Sequence, residues 1–322
     1  MVSLLLASVL SAAPGAITLP GSPPIAMDYI AYDPATHRVW VPAGNSGNVD
    51  VIDTVTGKVT PLAFFATAPS PRAGRPPMGP SSAYIGDGVV WVGNRADRKL
   101  CAIDARTLRR GACVELPGMP DGVAWVPVTK EVWVTAPREG QLTIVSAKSD
   151  APVVVGSIKL QGAPEGFAVD DANGIFYTNY EDKDQTVAID ARTRRILSTW
   201  ATGCGENGPR GLALDAARKL LVVACTDGAV TLDLAHDGKR VGRLRTGAGV
   251  DNLDYDAVAK RLYVASAQDG TLTVAILGDD GSLTEHSKTP TAKGGRNAVC
   301  DREGTVYVPD SQLGRLIVVR PR

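Results

Sequence analysis

The sequence predicts an all-β protein, a seven-bladed β-propeller whose blades are four-stranded antiparallel sheets. Three observations lead to this fold. A stretch of two strands and two turns, residues 39–59, recurs in weaker form six more times. The copies follow one another roughly every 44 residues, a period typical of propeller blades. Near the N-terminus, an isolated strand is available to complete the last copy.

The repeated unit is an antiparallel meander. Residues 39–41 and 49–52 are rich in β-branched and aromatic side chains, which favour an extended backbone. Residues 44–48 join these strands with Gly and Asn, which tolerate positive φ, and residues 53–58 form a second tight turn. One meander cannot bury both faces, so the copies must pack against one another. The copies align on one strand residue, which is Trp40, Trp91, Trp133, Tyr177, Val222, Tyr263 or Tyr307.

The first copy, VWVPAGNSGNVDVIDTVTGKV, resembles the repeat of the YVTN-type β-propeller family. It shares with that repeat the aromatic-valine strand, the Asn/Gly turn, the V-x-V-I-D strand and the T-G-K turn. The resemblance extends over the mature chain and is looser in later copies such as LTIVSAKSD and LTVAILGDD. It implies the architecture but no single activity, because members of the family include binding, scaffolding and enzymatic proteins.

The chain is divided into a leader and one domain. We interpret residues 1–15 as a signal peptide, because a short apolar run is followed by small residues. Residues 16–322 then form a single propeller. Since the last copy supplies only three strands, we expect residues 16–21 to add its fourth strand and close the ring. The predicted blades are residues 24–66, 80–117, 120–160, 164–200, 209–246, 250–287 and 295–320 with 16–21.

A proline-rich insertion, residues 61–80, separates the first two copies. Phe64 and Phe65 either end the outer strand of the first blade, leaving the rest as a surface loop, or belong to a lid over one end of the central channel.

Charge and cysteine content bear on partners and location. Lys plus Arg and Asp plus Glu both number 34, so the net charge is zero and nucleic acid is not an expected partner. No transmembrane segment is expected in the mature chain, which we place in the periplasm or outside the cell.

If Asp104 pairs with Arg110 across the intervening turn, Cys101 lies opposite Cys113, at a distance that a disulfide can bridge. A second disulfide is expected between Cys204 and Cys225, which map to the same end of one blade, and Cys300 is expected to be a buried thiol.

Polar residues recur where the chain enters the first strand of each blade, and these entries open on one end of the channel. In five blades, the polar residue lies at the same number of residues before the aligned strand residue. In the two remaining blades the turns are shorter, and the equivalent residues are Ser81 and Arg296. Asn252 and Asn297 lie next to this set. Such charges often pair with one another and with loop amides without any chemistry. The candidates at the channel mouth in the five blades with equal spacing are Asp28, Asp121, Glu165, Arg210 and Asp251.

Two segments have a second resemblance. GVDNLDYDAVAKRLYVAS is similar to a segment of paraoxonase-type calcium lactonases, and PEGFAVDDANGIFYTN is similar to a segment of the gluconolactonase family. The resemblance implies Ca²⁺ ligands at Asn252 and Glu165, to which Asp28, Asp251 and Asn297 could add oxygens. Those families have six blades, and their further Asn ligands correspond to Gly122, Gly166 and Gly211 here.

No His-dependent site is expected at the channel mouth, because all three histidines map away from it, namely His37, His236 and His286. Three functions that need no histidine remain open. The first is a binding module for a protein, a peptide or a small polar ligand, with no cofactor. The second is a Ca²⁺-dependent hydrolase or lactonase with a carboxylate base. The third is a metal-free lyase or isomerase that stabilises an oxyanion with Arg210 or Arg296.

Overall fold

Seven four-stranded antiparallel sheets form a ring in the computed structural model, which describes residues 14–205 and 208–321. Strand β1 (Gly15–Thr18) precedes the first blade. The first blade contains β2 (Ala31–Asp33), β3 (Arg38–Ala43), β4 (Asn48–Asp53) and β5 (Val59–Leu62). The second contains β6 (Pro80–Gly86), β7 (Val89–Asn94), β8 (Lys99–Asp104) and β9 (Arg110–Glu115). The third contains β10 (Val123–Val126), β11 (Glu131–Ala136), β12 (Gln141–Ser146) and β13 (Val153–Lys159).

The remaining blades follow the same order. The fourth contains β14 (Pro164–Asp170), β15 (Ile175–Tyr180), β16 (Gln185–Asp190) and β17 (Ile196–Ala201). The fifth contains β18 (Pro209–Asp215), β19 (Leu220–Cys225), β20 (Gly228–Asp233) and β21 (Lys239–Arg245). The sixth contains β22 (Leu253–Asp256), β23 (Arg261–Ser266), β24 (Thr271–Leu277) and β25 (Leu283–Pro290). The seventh contains β26 (Val299–Cys300), β27 (Val306–Asp310) and β28 (Arg315–Val319). Three short 3-10 turns are Gly44–Ser46, Pro137–Glu139 and Leu234–His236.

Neighbouring blades pack face to face through their second and third strands. These strands are apolar and almost wholly buried, and each core cluster joins side chains of adjacent blades. Trp133 of the third blade, for example, packs on Phe176 of the fourth with ring centroids 5.0 Å apart. The outermost strands alternate exposed and half-buried residues, as β13 does, because only one side of each is covered. The predicted seven-bladed propeller is therefore confirmed.

The N-terminal strand lies at the outer edge of the seventh blade. β1 pairs antiparallel with β28, with Gly15 opposite Val318. Leu19 follows it into the core, and its backbone N–H donates to the Gly314 carbonyl oxygen at 2.9 Å. Gly15, assigned from the sequence to the end of the signal peptide, thus belongs to the sheet. The rest of the predicted signal peptide, up to residue 13, lies outside the described residues.

Both predicted disulfides are present, Cys101–Cys113 with a Cα–Cα distance of 4.0 Å and Cys204–Cys225 with 5.2 Å. The predicted pairing of Asp104 with Arg110 is wrong. Arg110 lies opposite Ile103, because a register shift falls between Cys101 and Ile103, and the two cysteines still face each other. Cys300 is a half-buried free thiol. In the described part of the chain, no helix is long and apolar enough to cross a membrane.

The proline-rich insertion has two parts. Phe64 and Phe65 are half-buried and pack against the core shared by the first two blades, just after β5 ends. The guanidinium group of Arg110 lies 5.4 Å from the centre of the Phe64 ring. Farther along, Arg72 and Arg75 line the cavity at one end of the central channel. The insertion therefore contributes to the site described next.

Candidate functional site

The mouth chamber is the cavity at one end of the central channel, with a volume of about 980 Å³. Loops that enter the first strand of a blade and loops that follow the second strand converge on it, because antiparallel blades bring both kinds of loop to the same end. The described charged residues that line it are Asp28, Arg72, Arg75, Arg95, Asp121, Arg138, Glu165, Glu181, Arg210, Asp251 and Arg296.

Asp28 lies between two guanidinium groups. Its Oδ2 accepts from Arg95 Nη2 at 2.9 Å and its Oδ1 from Arg296 Nη2 at 3.0 Å. Burial opposes ionisation of this carboxyl, but the charges of Arg296 and Arg95 outweigh burial and hold the pKa of Asp28 below its usual value. Asp28 is therefore an ionised, fully paired group at neutral pH.

The two arginines extend the network to other blades. Arg95 also pairs with Asp121, and Arg296 Nη1 lies 3.3 Å from Asp251 Oδ2. Four side chains predicted for the mouth, those of Asp28, Asp121, Asp251 and Arg296, thus belong to one connected set of ion pairs, joined by Arg95.

Tyr29 connects this network to the fourth blade. Its hydroxyl donates to Glu165 Oε1 at 3.0 Å, lies 3.4 Å from Asp121 Oδ2 and accepts from the Gly166 backbone N–H at 3.3 Å. The Tyr29 ring stacks on Phe167 with centroids 6.0 Å apart. A side chain of the first blade therefore crosses the channel and reaches Glu165 of the fourth blade, which lines the mouth chamber.

Two carboxyl groups of the site are difficult to ionise. Burial raises the pKa of Glu165 well above its usual value, and the negative charges of Asp121 and Asp251 raise it further. Burial also raises the pKa of Asp251 to about 6, against the opposing charge of Arg296. Among the described residues, Glu165 has no ion-pair partner, so it retains its proton most readily in this chamber.

The other predicted site residues lie at the margin or serve the backbone. Arg210 pairs with Glu181 at the side of the chamber. Ser81 accepts the Tyr29 backbone N–H with its carbonyl oxygen at 3.0 Å. Asn297 donates to the Asp28 carbonyl oxygen at 2.7 Å and accepts the Asn252 backbone N–H at 3.2 Å, which joins the loops of three consecutive blades.

The residues present do not fit the predicted Ca²⁺ site. Arg95 and Arg296 occupy positions between the carboxylates, and both polar ends of the Asn297 amide bond to the backbone. Two of the glycines at the missing Asn positions also leave no room for a side chain. A Cβ added at Gly166 would lie 2.3 Å from the Arg210 carbonyl oxygen, and a Cβ added at Gly211 would lie 2.4 Å from Asn252 Oδ1. The described residues contain no group of three or more His, Cys, Asp or Glu side chains arranged for a metal ion.

We expect removal of divalent metal to leave the protein unchanged. EDTA should shift the melting temperature by less than about 1 °C, because arginines already neutralise the carboxylates that Ca²⁺ would bridge. Elemental analysis and thermal melts with and without EDTA test this expectation. Stoichiometric Ca²⁺, with a chelator-sensitive melt that Glu165→Gln abolishes, would restore the calcium hypothesis.

Sequence reasoning did not identify the role of Tyr29, although Tyr29 is adjacent to Asp28. Arg95 and Glu181 lie just after the second strand of their blades, and so outside the entry positions on which the prediction was based. A bulky aromatic residue directly after the recurring acidic position, found only in the first copy, was the available signal.

Comparison with known proteins supports the fold. No protein-family model matches the chain, and no curated protein matches it significantly. A chain in a crystal structure of the mitotic checkpoint complex is similar, with a TM-score of 0.79 and 14% identity over 100% of this chain and 95% of that chain. Virginiamycin B lyase from Staphylococcus aureus is also similar, with a TM-score of 0.74 and 13% identity over 95% of this chain and 98% of that chain. The Cps50 β-propeller domain from Myceliophteria thermophila has a TM-score of 0.72 and 12% identity over 95% of this chain and 99% of that chain. At these identities the likeness shows a β-propeller and nothing more, and the YVTN-type resemblance stays a prediction.

Proposed function

We propose that this propeller is an exported binding module that takes an anionic polar ligand, such as an acidic peptide segment or a small polycarboxylate, in the mouth chamber. One observation carries the proposal. The deep carboxylates are already paired or protonated, whereas the guanidinium groups nearest to solvent remain available.

Exposure supports this polarity. The side chain of Arg296 is 45% exposed, whereas those of its partners Asp28 and Asp251 are each 12% exposed. Arg72, Arg75 and Arg138 are exposed around the same opening, and the described contacts include no ion pair for them. Planar guanidinium groups that converge on one cavity are suited to bind carboxylates in a bidentate manner. Export is part of the proposal because two disulfides persist best in an oxidising compartment.

Titration with two defined anions tests the proposal. We expect citrate or a hexaglutamate peptide to raise the melting temperature by several degrees at low salt, and added NaCl to weaken the effect. The double substitution Arg75→Gln with Arg138→Gln should reduce affinity by about tenfold. Arg109→Gln is the matched control, because Arg109 is exposed in the turn between β8 and β9 at the opposite end. No shift with either anion, or an equal shift in the double variant, would contradict the proposal.

The raised pKa values favour a second candidate, a metal-free lyase. Two neighbouring carboxyl groups whose pKa values differ are suited to act as an acid and a base. Asp251 would take a proton from the carbon next to a carbonyl group, Arg296 would stabilise the enolate oxygen, and Glu165 would give its proton to the group that leaves the β-carbon. The bond to that leaving group breaks as the carbon–carbon double bond forms.

A ketone with a 4-nitrophenoxy group on its β-carbon would report such a reaction by release of nitrophenolate. Turnover that Asp251→Asn abolishes and Glu181→Gln retains would favour the lyase over the binding module, since nitrophenolate leaves without a proton and the base alone is required. The binding module predicts no turnover with this probe.

A further inference from the structure

The opposite chamber is the cavity at the other end of the central channel. Its volume is about 1460 Å³, and turns between the first and second strands of several blades surround its opening. Asp28 lines both chambers and so lies at the boundary between them, whereas the next residue, Tyr29, lines the opposite chamber. None of the residues predicted for the mouth, apart from Asp28, Asn252 and Asn297, lines this cavity.

Aromatic side chains are concentrated in the opposite chamber. The chain contains only 8 tyrosines and 4 phenylalanines, and five of these residues line this one cavity. Phe167 lies at their centre. Its ring is 5.6 Å from that of Tyr84, in an edge-to-face arrangement, and 6.0 Å from that of Tyr29, in a stacked arrangement. The described hydrogen bonds include none from the Tyr84 hydroxyl group. The five residues are Tyr29, Tyr32, Tyr84, Phe167 and Tyr255.

The charge of the opposite chamber is negative. Among residues 14–205 and 208–321, six aspartates besides Asp28 and only two arginines, Arg106 and Arg302, line it. Asp254 is a half-buried member of the wall, and its carboxylate accepts the backbone N–H groups of Cys300 at 2.7 Å and Tyr255 at 2.8 Å, which fix its position. The described lining of the mouth chamber, by contrast, has six arginines against five carboxyl groups. A chain with no net charge therefore has channel ends of opposite character.

Tyr84 and the acidic groups are close enough to influence one another. Burial raises the pKa of the Tyr84 hydroxyl to about 12, and the negative charges of Asp171 and Asp254 contribute to this shift. Asp171 itself is exposed, just beyond the end of β14. The aromatic rings and the carboxylate of Asp254 thus face a common space, and Asp171 adds negative charge beside it.

We propose that the opposite chamber binds an organic cation with an apolar body, such as a quaternary ammonium compound, against the aromatic cluster of Tyr84 and Phe167 and close to the carboxylate of Asp254. Aromatic faces attract cations through their quadrupole, and the attraction is strongest in sites shielded from water. A neutral ligand would gain only apolar contact there, and an anion would meet the aspartates. The site is separate from the mouth chamber and does not depend on the function proposed for that end.

Three probes of similar shape test the proposal, namely phenethyltrimethylammonium, its uncharged isostere (3,3-dimethylbutyl)benzene and the anion 3-phenylpropionate. We expect saturable binding of the cation, with the isostere at least about fivefold weaker and the anion weaker still, by saturation-transfer NMR and calorimetry. Equal binding of cation and isostere, or no binding of the cation, would overturn the proposal.

Variants locate the bound cation. Phe167→Leu and Asp254→Asn should each weaken binding by about fivefold. The Asp254→Asn side chain keeps an oxygen that can accept the Cys300 N–H. Asp171→Asn replaces an exposed residue, so it tests the charge without loss of stability if the variants at buried positions have lowered melting temperatures. Arg210→Gln in the mouth chamber is the control and should leave the affinity unchanged. Loss of binding in Arg210→Gln, or full binding in the other three variants, would place the cation elsewhere and reject the site.

Discussion

Replacing Asp50 by valine is expected to stabilise the protein by about 4 kcal/mol at pH 8. Asp50 lies in the third strand of the first blade, is 0% exposed, and neither carboxylate oxygen has a hydrogen-bond partner among the described residues. Burial raises the pKa of this carboxyl from 3.8 to about 7. The fourth and fifth blades have Val187 and Val230 at the corresponding strand position, both fully buried, so the fold accepts valine there.

The effect should depend on pH in a defined direction. Below about pH 4 the carboxyl is protonated in both the folded and the unfolded chain, so the charge contributes nothing. Between about pH 4 and 7 the unfolded chain releases this proton and the folded chain retains it, so stability falls as the pH rises. Above pH 7 the loss is complete. The stability difference between Asp50→Val and the parent should therefore increase over that window and then level off.

Urea denaturation at pH 4, 6 and 8 would measure the difference. Asp50→Asn is the matched control, because it keeps the shape of the side chain and removes only its titration. It should abolish the pH-dependent part of the difference without the full gain in stability. A parent protein as stable as Asp50→Val at pH 8 would contradict the prediction.

Removing the N-terminal strand should lower the melting temperature by roughly 10 °C. A chain that begins at Ser22 lacks β1, and with it the backbone ladder to β28. It also lacks Leu19, which is 3% exposed, and the half-buried Ile17 that packs on the same core. The loss of these apolar contacts corresponds to about 3 to 5 kcal/mol, and β28 becomes an unpaired edge.

A chain that begins at Pro14 is the control, since it retains β1 and should melt like the full protein. Differential scanning calorimetry measures the melts, and size-exclusion chromatography reports whether the exposed edge of β28 causes association. Equal melting temperatures for the chains that begin at Pro14 and Ser22 would show that β1 does not hold the ring closed.

The features that follow from local periodicity could be predicted from the sequence. The aligned residues from Trp40 to Tyr307 established seven blades, because each copy forms its strands and turns from its own residues. The same alignment identified the entry positions of the mouth. The local register of one hairpin placed Cys101 opposite Cys113, even though the assumed pairing across its turn was wrong by one residue.

Only the tertiary structure decided which charges pair. Arg296 contacts Asp28 across 268 residues of chain, and Tyr29 reaches Glu165 across 136, so neither contact has a local signal. Burial is equally non-local. Asp50 appears in the sequence as one polar residue within an apolar strand, and its raised pKa comes from the blades packed against it. The opposite chamber was not predicted, because its aromatic residues come from different blades and meet only when the ring closes. The sequence by itself determined the number of blades and the residues at the strand entries of the mouth, whereas the pairing, protonation and shape of the two chambers depend on distances between blades that no single copy contains.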